Sequence, residues 1–299
     1  MFKKVILLLL ALMMCACRPI AHYDDNSSSY SILTYKSSAA LTLLPFLNDD
    51  YSITNSSSVD TFAHAFDEEK HDIIIAPLNI GINSCLKGCE YKLLAIIEYG
   101  TYNIISTKET LRRGVLGVLG QNTVNDYVIK YLQDSNNPNF EIKWYEDIDA
   151  LKTSFMNQEL DGMILDEINF NYMKGQVDYD LYKTTDLNNE YEYKTGFIKY
   201  PVVGLFVLNE VIDNDQNGLV EFSRRLRSNI NTYKNDKTTF NNTLMNSDIS
   251  RLGYNDYKLI RESYNFCGLD FVYASSIYDE LNVLMEICDI ELNESVIIK

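Results

Sequence analysis

The chain has 299 residues, of which 46% are hydrophobic, and this length is comfortable for two α/β lobes with sizeable cores. Its 42 acidic and 26 basic residues give a formal net charge of −16, which argues against a nucleic-acid partner and against attraction to an anionic lipid surface. With only three histidines, the sequence predicts no metal site, and it predicts no cofactor.

The amino-terminal residues have the parts of a secretory signal. Lys3 and Lys4 precede ten apolar residues at 5–14, a run too short to span a bilayer stably. Ala16 directly before Cys17 resembles a bacterial lipobox, which implies cleavage before Cys17 and a lipid on its sulfur. The predicted parts are a signal peptide at 1–16 and a lipidated tether at 17–29.

The next part of the chain alternates strands with helices. Ser37 or Ser38 is placed to cap the first helix, and Ser58 or Asp60 the second. A strand–helix–strand–helix–strand order implies crossover connections and a parallel sheet. The predicted strands of this part are 31–35, 51–55, 72–76, 92–98 and 102–106.

The stretch 111–132 is predicted to be a strand, a tight turn and a helix. Its strand is 115–119, and Thr123 with Asp126 forms a capping box that begins the helix. The glycines are spaced G-x-x-G-x-x-G, which does not match the dinucleotide-binding pattern. Backbone N–H groups at 121–123 and the helix dipole are placed to hold a polar or anionic group, although an ordinary connection without a ligand explains the pattern too.

The same plan then repeats. A strand at 141–145, a helix at 148–156 and a strand at 162–165 lead to Asp166 and Glu167, at the edge where open sheets bind ligands. A buried strand at 202–209 follows, and the rest is predicted to be helical, with Ser276 and Asp279 capping the last helix. The predicted organisation is lobe 1 at 30–107 and 200–299 with the C-terminal helices, lobe 2 at 108–199, and crossings near 106–110 and 196–203.

The order of these segments resembles the type II periplasmic solute-binding proteins of ABC importers. After the signal and Cys17, the segments that carry the resemblance are DIIIAPLNIG, YKLLAIIEYGTYNIIS, GVLGVLGQNTVNDYVIKYL and NQELDGMILDE. The branch they resemble most handles nitrate, sulfonates, taurine and thiamine-pyrimidine precursors. The resemblance implies a two-lobe α/β fold, each lobe a mainly parallel sheet flanked by helices.

The resemblance also implies a function without chemistry of its own. The protein would be a monomer, held by a lipid anchor at the extracellular face of the bacterial cell membrane. It would capture a small organic solute between its lobes and deliver it to the permease and ATPase subunits of an ABC transporter. The ligand-binding residues carried over from the family are Ser37, Ser38, Asn79, Gly100, Thr101, Gln121, Asn122, Thr123 and Glu167.

Other interpretations stay open at this point. Ser37 and Ser38 cap a helix with or without a ligand, and Glu167 either binds a ligand amine or caps the next helix. The family often has a proline after this acidic residue, where this chain has Ile168. The alternative function is an exported enzyme of the lyase or dehydratase kind, using Asp166 or Glu167, and a third is a surface lipoprotein that binds a macromolecule. The ligand and any pairing of the later cysteines are undetermined by the sequence: Cys85, Cys89, Cys267 and Cys288.

The lipobox gives a direct prediction for Cys17. A Cys17→Ala precursor should receive no lipid while its folded domain survives, because the tether precedes the first strand. Incorporation of labelled fatty acid measures this, and undiminished labelling of the variant would refute the assignment.

Overall fold

The structure is a computed structural model, which describes residues 29–136 and 139–299. The predicted signal peptide, Cys17 and all of the tether except Ser29 lie outside the described residues. Within the described part, no helix is both long and apolar enough to cross a membrane.

The strands and helices alternate through most of the chain. In chain order the strands are β1 (Ser31–Tyr35), β2 (Ser52–Ser56), β3 (Ile73–Pro77), β4 (Tyr91–Tyr99), β5 (Asn103–Ser106), β6 (Arg113–Leu119), β7 (Asn139–Tyr145), β8 (Gly162–Leu165), β9 (Tyr182–Asp186), β10 (Pro201–Leu208) and β11 (Leu269–Tyr273). The α-helices are α1 (Val59–Glu68), α2 (Leu78–Leu86), α3 (Val124–Asn136), α4 (Ile148–Met156), α5 (Glu167–Lys174), α6 (Leu187–Thr195), α7 (Asn209–Asn214), α8 (Gln216–Asn235), α9 (Lys237–Met245), α10 (Tyr257–Ser263) and α11 (Tyr278–Ile287). The 3₁₀ segments are Ser38–Phe46, Ile249–Leu252, Tyr264–Phe266, Ala274–Ile277 and Glu294–Val296.

The strands form two separate sheets, each with helices packed on it. The first sheet has the order β11-β4-β10-β3-β1-β2, and the second has the order β7-β6-β8-β5-β9. Both sheets are mixed rather than mainly parallel. In the first, β1 pairs in parallel with β2 and β3, whereas β10 is antiparallel to β3 and β4. In the second, β6 is parallel to β7 and β8, whereas β5 is antiparallel to β8 and β9.

The chain passes between the two sheets earlier than the sequence predicted. Strand β4 ends at Tyr99 in the first sheet, and β5 begins at Asn103 in the second, so the passage lies at 100–102 rather than near 106–110. A three-residue link between two apolar strands gives no sign that the second strand has changed sheet. The return passage is at 196–200, between α6 and β10.

The first sheet is built around two strands that are buried along their whole length. Every residue of β3 (IIIAP) and of β10 (PVVGLFVL) is buried, as expected for strands covered by helices on both faces. Helix α2 approaches β10 so closely that a Cβ at Gly81 would lie 2.2 Å from the ring of Phe206. This close approach fixes the start of α2, and with it Asn79, beside the end of β3.

Two elements and one cap differ from the sequence expectation. Strand β9 and strand β11 were not predicted, because β9 is largely polar and β11 is short and lies among helices. Ser276 does not cap the last helix, since its hydroxyl donates a hydrogen bond of 2.7 Å to the carbonyl of Tyr273, and α11 begins without a side-chain cap. Ser37 and Ser58 do act as caps.

All four cysteines of the described part carry free thiols. The Sγ atoms of Cys85 and Cys89 lie 3.6 Å apart at the end of α2. The thiol of Cys267 is instead hydrogen-bonded to the carbonyl of Ser263 at 3.2 Å.

Candidate functional site

A small cavity lies between the two sheets. It has a volume of about 40 Å³ and is lined by residues from both lobes, among them Tyr35, Tyr102, Asn125, Ile164 and Val203. A ligand pocket for an organic molecule typically measures about 300–1,000 Å³. The cavity as described is too small for such a molecule, so an organic ligand bound there would require the lobes to part.

Two side-chain hydrogen bonds hold the lobes together. The amide nitrogen of Asn79, at the start of α2, donates a bond of 2.7 Å to the backbone carbonyl of Asn122 in the second lobe. The amide nitrogen of Asn171, on α5, donates to the hydroxyl of Ser263, on α10, at 3.1 Å. Asn122 has a φ of +60°, a left-handed conformation that turns its carbonyl toward the first lobe.

A buried carboxylate lies on the first-lobe side of the cavity. Glu98 is 1% exposed, and its Oε2 accepts hydrogen bonds from the hydroxyl of Ser37 at 2.7 Å and from the N–H of Ala39 at 2.8 Å. In the first sheet Glu98 is paired with Val203 of β10, and Val203 lines the cavity. Burial raises the pKa of the Glu98 carboxyl to about 8, the charge of Asp166 acts in the same direction, and the two hydrogen bonds oppose both.

A second buried carboxylate lies on the opposite lobe. Asp166 is 7% exposed and caps α5, accepting hydrogen bonds from the N–H of Asn169 at 2.8 Å and from its amide nitrogen at 2.9 Å. Ile164, two residues earlier in the same extended segment, lines the cavity. Burial raises the pKa of Asp166, whereas its hydrogen bonds and the charge of Lys152 lower it.

Both carboxylates act on the same tyrosines. Burial, followed by the charges of Glu98, Glu146 and Asp166, raises the pKa of Tyr35 to about 12. Burial and the charges of Glu98 and Asp166 also raise the pKa of Tyr102. Both tyrosines line the cavity, so one acidic group from each lobe lies near it.

The turn before α3 is already bound by a carboxylate of the protein. Gly120 has a φ of +75°, and the hydroxyl of Thr123 donates to its carbonyl at 2.9 Å. Asp126 accepts from the N–H of Asn122 at 2.8 Å, one residue before the position that a standard capping box would use. The same carboxylate also holds the indole N–H of Trp144 at 2.9 Å. One of the three amides predicted to receive a ligand, that of Asn122, is thus used internally.

The residues predicted to bind a ligand have different roles in the structure. Ser37 bonds Glu98, Asn79 and Asn122 bridge the lobes, and Thr123 lines the cavity. Ser38 is fully buried beside Ser37.

The other predicted residues lie farther from the cavity wall. Gly100 and Thr101 form the passage between the sheets, and a Cβ on Gly100 would lie 2.3 Å from the ring of Tyr200. Gln121 is exposed. The Oε2 of Glu167 lies 2.5 Å from the ammonium of Lys183, so this carboxylate is committed to an ion pair. Ligand contact at all nine positions stays a prediction.

Sequence reasoning missed Glu98 and Asn125 as site residues. Glu98 carried a usable signal, since it interrupts the apolar run 93–97 of a strand predicted to be buried, and a charge in such a place is either paired or functional. Asn125 carried none, because an asparagine in the first turn of a helix is common. In the described residues no three His, Cys, Asp or Glu side chains are grouped as they would need to be for a metal ion.

Comparison with known proteins identifies the fold. No protein-family model matches the sequence, and no curated protein matches it. Among solved structures, an ABC transporter from Parabacteroides distasonis is similar with a TM-score of 0.73 at 14% identity, over 87% of this chain and 92% of that chain. The ligand binding component of an ABC-type import system from Staphylococcus aureus, with zinc bound, has a TM-score of 0.67 at 10% identity, over 90% and 95%.

A third similar structure is the periplasmic aliphatic sulphonate binding protein SsuA from Escherichia coli, with a TM-score of 0.64 at 9% identity, over 87% of this chain and 85% of that chain. At these identities the likeness concerns the fold. It shows that the chain has the two-lobe, periplasmic-binding-protein-like α/β fold that the sequence predicted.

The raised pKa of Glu98 predicts a pH-dependent stability. Between the ordinary glutamate pKa, near 4.3, and about 8, the folded protein keeps a proton that the unfolded chain has lost, so the free energy of unfolding falls as pH rises. Glu98→Gln keeps the acceptor for Ser37 and Ala39 and should flatten this slope. Urea unfolding at several pH values measures the slope, and Glu291→Gln, at an exposed position, is the control. Equal slopes for parent and Glu98→Gln would contradict the prediction.

Proposed function

We propose that this chain is the substrate-binding lipoprotein of an ABC importer, which captures a small organic solute between its lobes and delivers it to a membrane permease. The observation that carries the proposal is the cavity between the carboxyl ends of strands from two sheets, with a hydrogen bond from Asn79 to Asn122 across it. A site divided between two lobes binds by closing, and closing requires contacts that exist only in the closed form.

The finer parts of the proposal come from the sequence and from the similar structures. The lipid on Cys17 would anchor the protein at the extracellular face of the bacterial cell membrane, and the protein would act as a monomer with permease and ATPase subunits. The branch we propose is that of nitrate, sulfonate, taurine and thiamine-pyrimidine precursor binding, which the similarity to the sulphonate binding protein supports.

The carboxylates considered for catalysis support binding better than chemistry. Glu167 is paired with Lys183, and one oxygen of Asp166 is engaged by both nitrogens of Asn169. A general acid or base needs to reach the proton that it transfers, and these two groups have partners of their own. We therefore propose a binding protein that is not an enzyme.

The function is tested by identifying what the protein carries. Mass spectrometry of small molecules released from natively purified protein should yield one compound in stoichiometric amount, and cells lacking the gene should lose uptake of that compound. Conversion of the compound by the purified protein, or unchanged uptake in those cells, would overturn the proposal.

The closing motion gives a second prediction. Asn79→Ala removes the hydrogen bond to Asn122, whose net value of about 1 kcal/mol corresponds to a roughly five-fold shift of population toward open lobes. Small-angle scattering should show a larger radius of gyration than for the parent. Asn282→Ala removes an exposed hydrogen bond, donated by a side-chain amide within α11, and should leave the scattering unchanged. An identical profile for Asn79→Ala and the parent would show that this bond does not hold the lobes.

A further inference from the structure

Three helix or turn starts that could hold an anion are occupied by the protein's own carboxylates. Helix N-termini attract negative charge because their first N–H groups have no partner within the helix. Glu98 binds the start of the Ser38–Phe46 segment, Asp126 binds the turn before α3, and Asp166 caps α5. At these three starts an anionic ligand would have to displace a carboxylate or lie against it, whereas α2 begins after Pro77, at the cavity, without a side-chain cap.

Two buried amide oxygens, one of them on the cavity wall, are unused acceptors within the described chain. Asn125 is 8% exposed and lines the cavity, and its Oδ1 has no hydrogen-bond partner within the described chain. Asn79 is 4% exposed, and its Oδ1 is likewise unpartnered within the described chain while its nitrogen bridges to Asn122. A buried carbonyl oxygen without a donor is costly, so each of these oxygens is suited to accept from an N–H or O–H of a ligand or a water.

Glu98 and Asp166 belong to the surroundings of the same cavity. Val203, paired with Glu98, and Ile164, two residues before Asp166, both line it. Lys152 acts on Asp166, but its ammonium is held over the ring of Tyr172 at 4.4 Å and lies 3.8 Å from Asp149. Glu98 and Asp166 thus lie near the cavity on opposite lobes, close enough for the charge of Asp166 to raise the pKa of Glu98.

We infer that the ligand is a small planar organic cation with N–H donors, of the amidine or guanidine type, held between Glu98 and Asp166 with Asn125 as a further acceptor. The inference rests on the proposed solute-binding function and departs from the anionic ligands of the proposed branch, nitrate and sulfonates. Tyr35 and Tyr102 line the cavity, and because an aromatic ring can hold a flat cation against its face, they favour a planar ligand. The formal net charge of −16 attracts the same class of ligand from a distance.

The test uses pairs of probes that have similar shapes and opposite charges. Guanidinium is matched with nitrate, and benzamidinium with benzoate. At about 1 mM, at least one of the cations should raise the unfolding temperature of the parent, and neither anion should. Stabilisation by an anion, or by neither cation, would overturn the inference.

Variants then assign the binding to the two carboxylates. Glu98→Gln keeps the acceptor for Ser37, and Asp166→Asn keeps a good helix cap, so both should remain folded. Each should weaken cation binding by about 10- to 100-fold, the usual effect of removing the charge from a buried hydrogen bond. Asp236→Asn changes an exposed cap of the same kind on α9 and should bind as the parent does. Unchanged affinity in both site variants would place the cation elsewhere and refute the assignment.

The outcomes separate this inference from the proposed function. If nitrate or benzoate binds and closes the lobes in solution scattering, the importer function stands and the cationic class is wrong. If a cation binds and the protein converts it chemically, the charge assignment stands and the binding-protein function is wrong. If no probe of either charge binds, the inference is wrong, and the uptake measurement alone decides the function.

Discussion

Much of the geometry of the site depends on the bond between Glu98 and the start of the Ser38–Phe46 segment. It lies at the end of β4, immediately before the chain leaves the first sheet, and it joins that strand to the turn after β1. Directly beyond it, the N–H of Gly100 donates to the carbonyl of Tyr200 at 2.9 Å, which ties the outgoing passage to the returning one. Because Gly100 has no side chain, Tyr200 can lie against its backbone. The buried carboxyl group of Glu98 thus lies next to the two chain segments that link the lobes.

Local patterns predicted most of the secondary structure. Helix α4 and strand β8 have the bounds expected from the sequence, because their apolar spacing and caps are properties of the segments themselves. The sheet membership of β5 could not be predicted, since it depends on pairing with β8 and β9, which lie far along the chain. Strand β9 can be recognised only from its pairing with β5, because its sequence, YKTTD, has little apolar character.

The candidate site was harder to predict than the fold, because the direction of a side chain decides its role. Asp166 and Glu167 are adjacent, yet the first turns inward to cap α5 and the second reaches Lys183 nearer the surface. The turn before α3 was correctly located, and Gly120 has the left-handed conformation that its position requires. The sequence predicted a capping box in which Asp126 bonds the N–H of Thr123, whereas in the structure Asp126 bonds the N–H of Asn122, one residue earlier.

Closing the lobes brings together two groups that repel each other when both are ionised. The protein relieves this repulsion by favouring a proton on Glu98, whose pKa is raised to about 8 by burial and by Asp166. A cation between the lobes would replace that proton and leave both carboxylates charged and paired. Parting the lobes would weaken the repulsion, because it would increase the distance between Glu98 and Asp166. Closure, proton binding and ligand binding then depend on the same pair of carboxylates, so a ligand that lacks positive charge would have to close the lobes against the charge of the site.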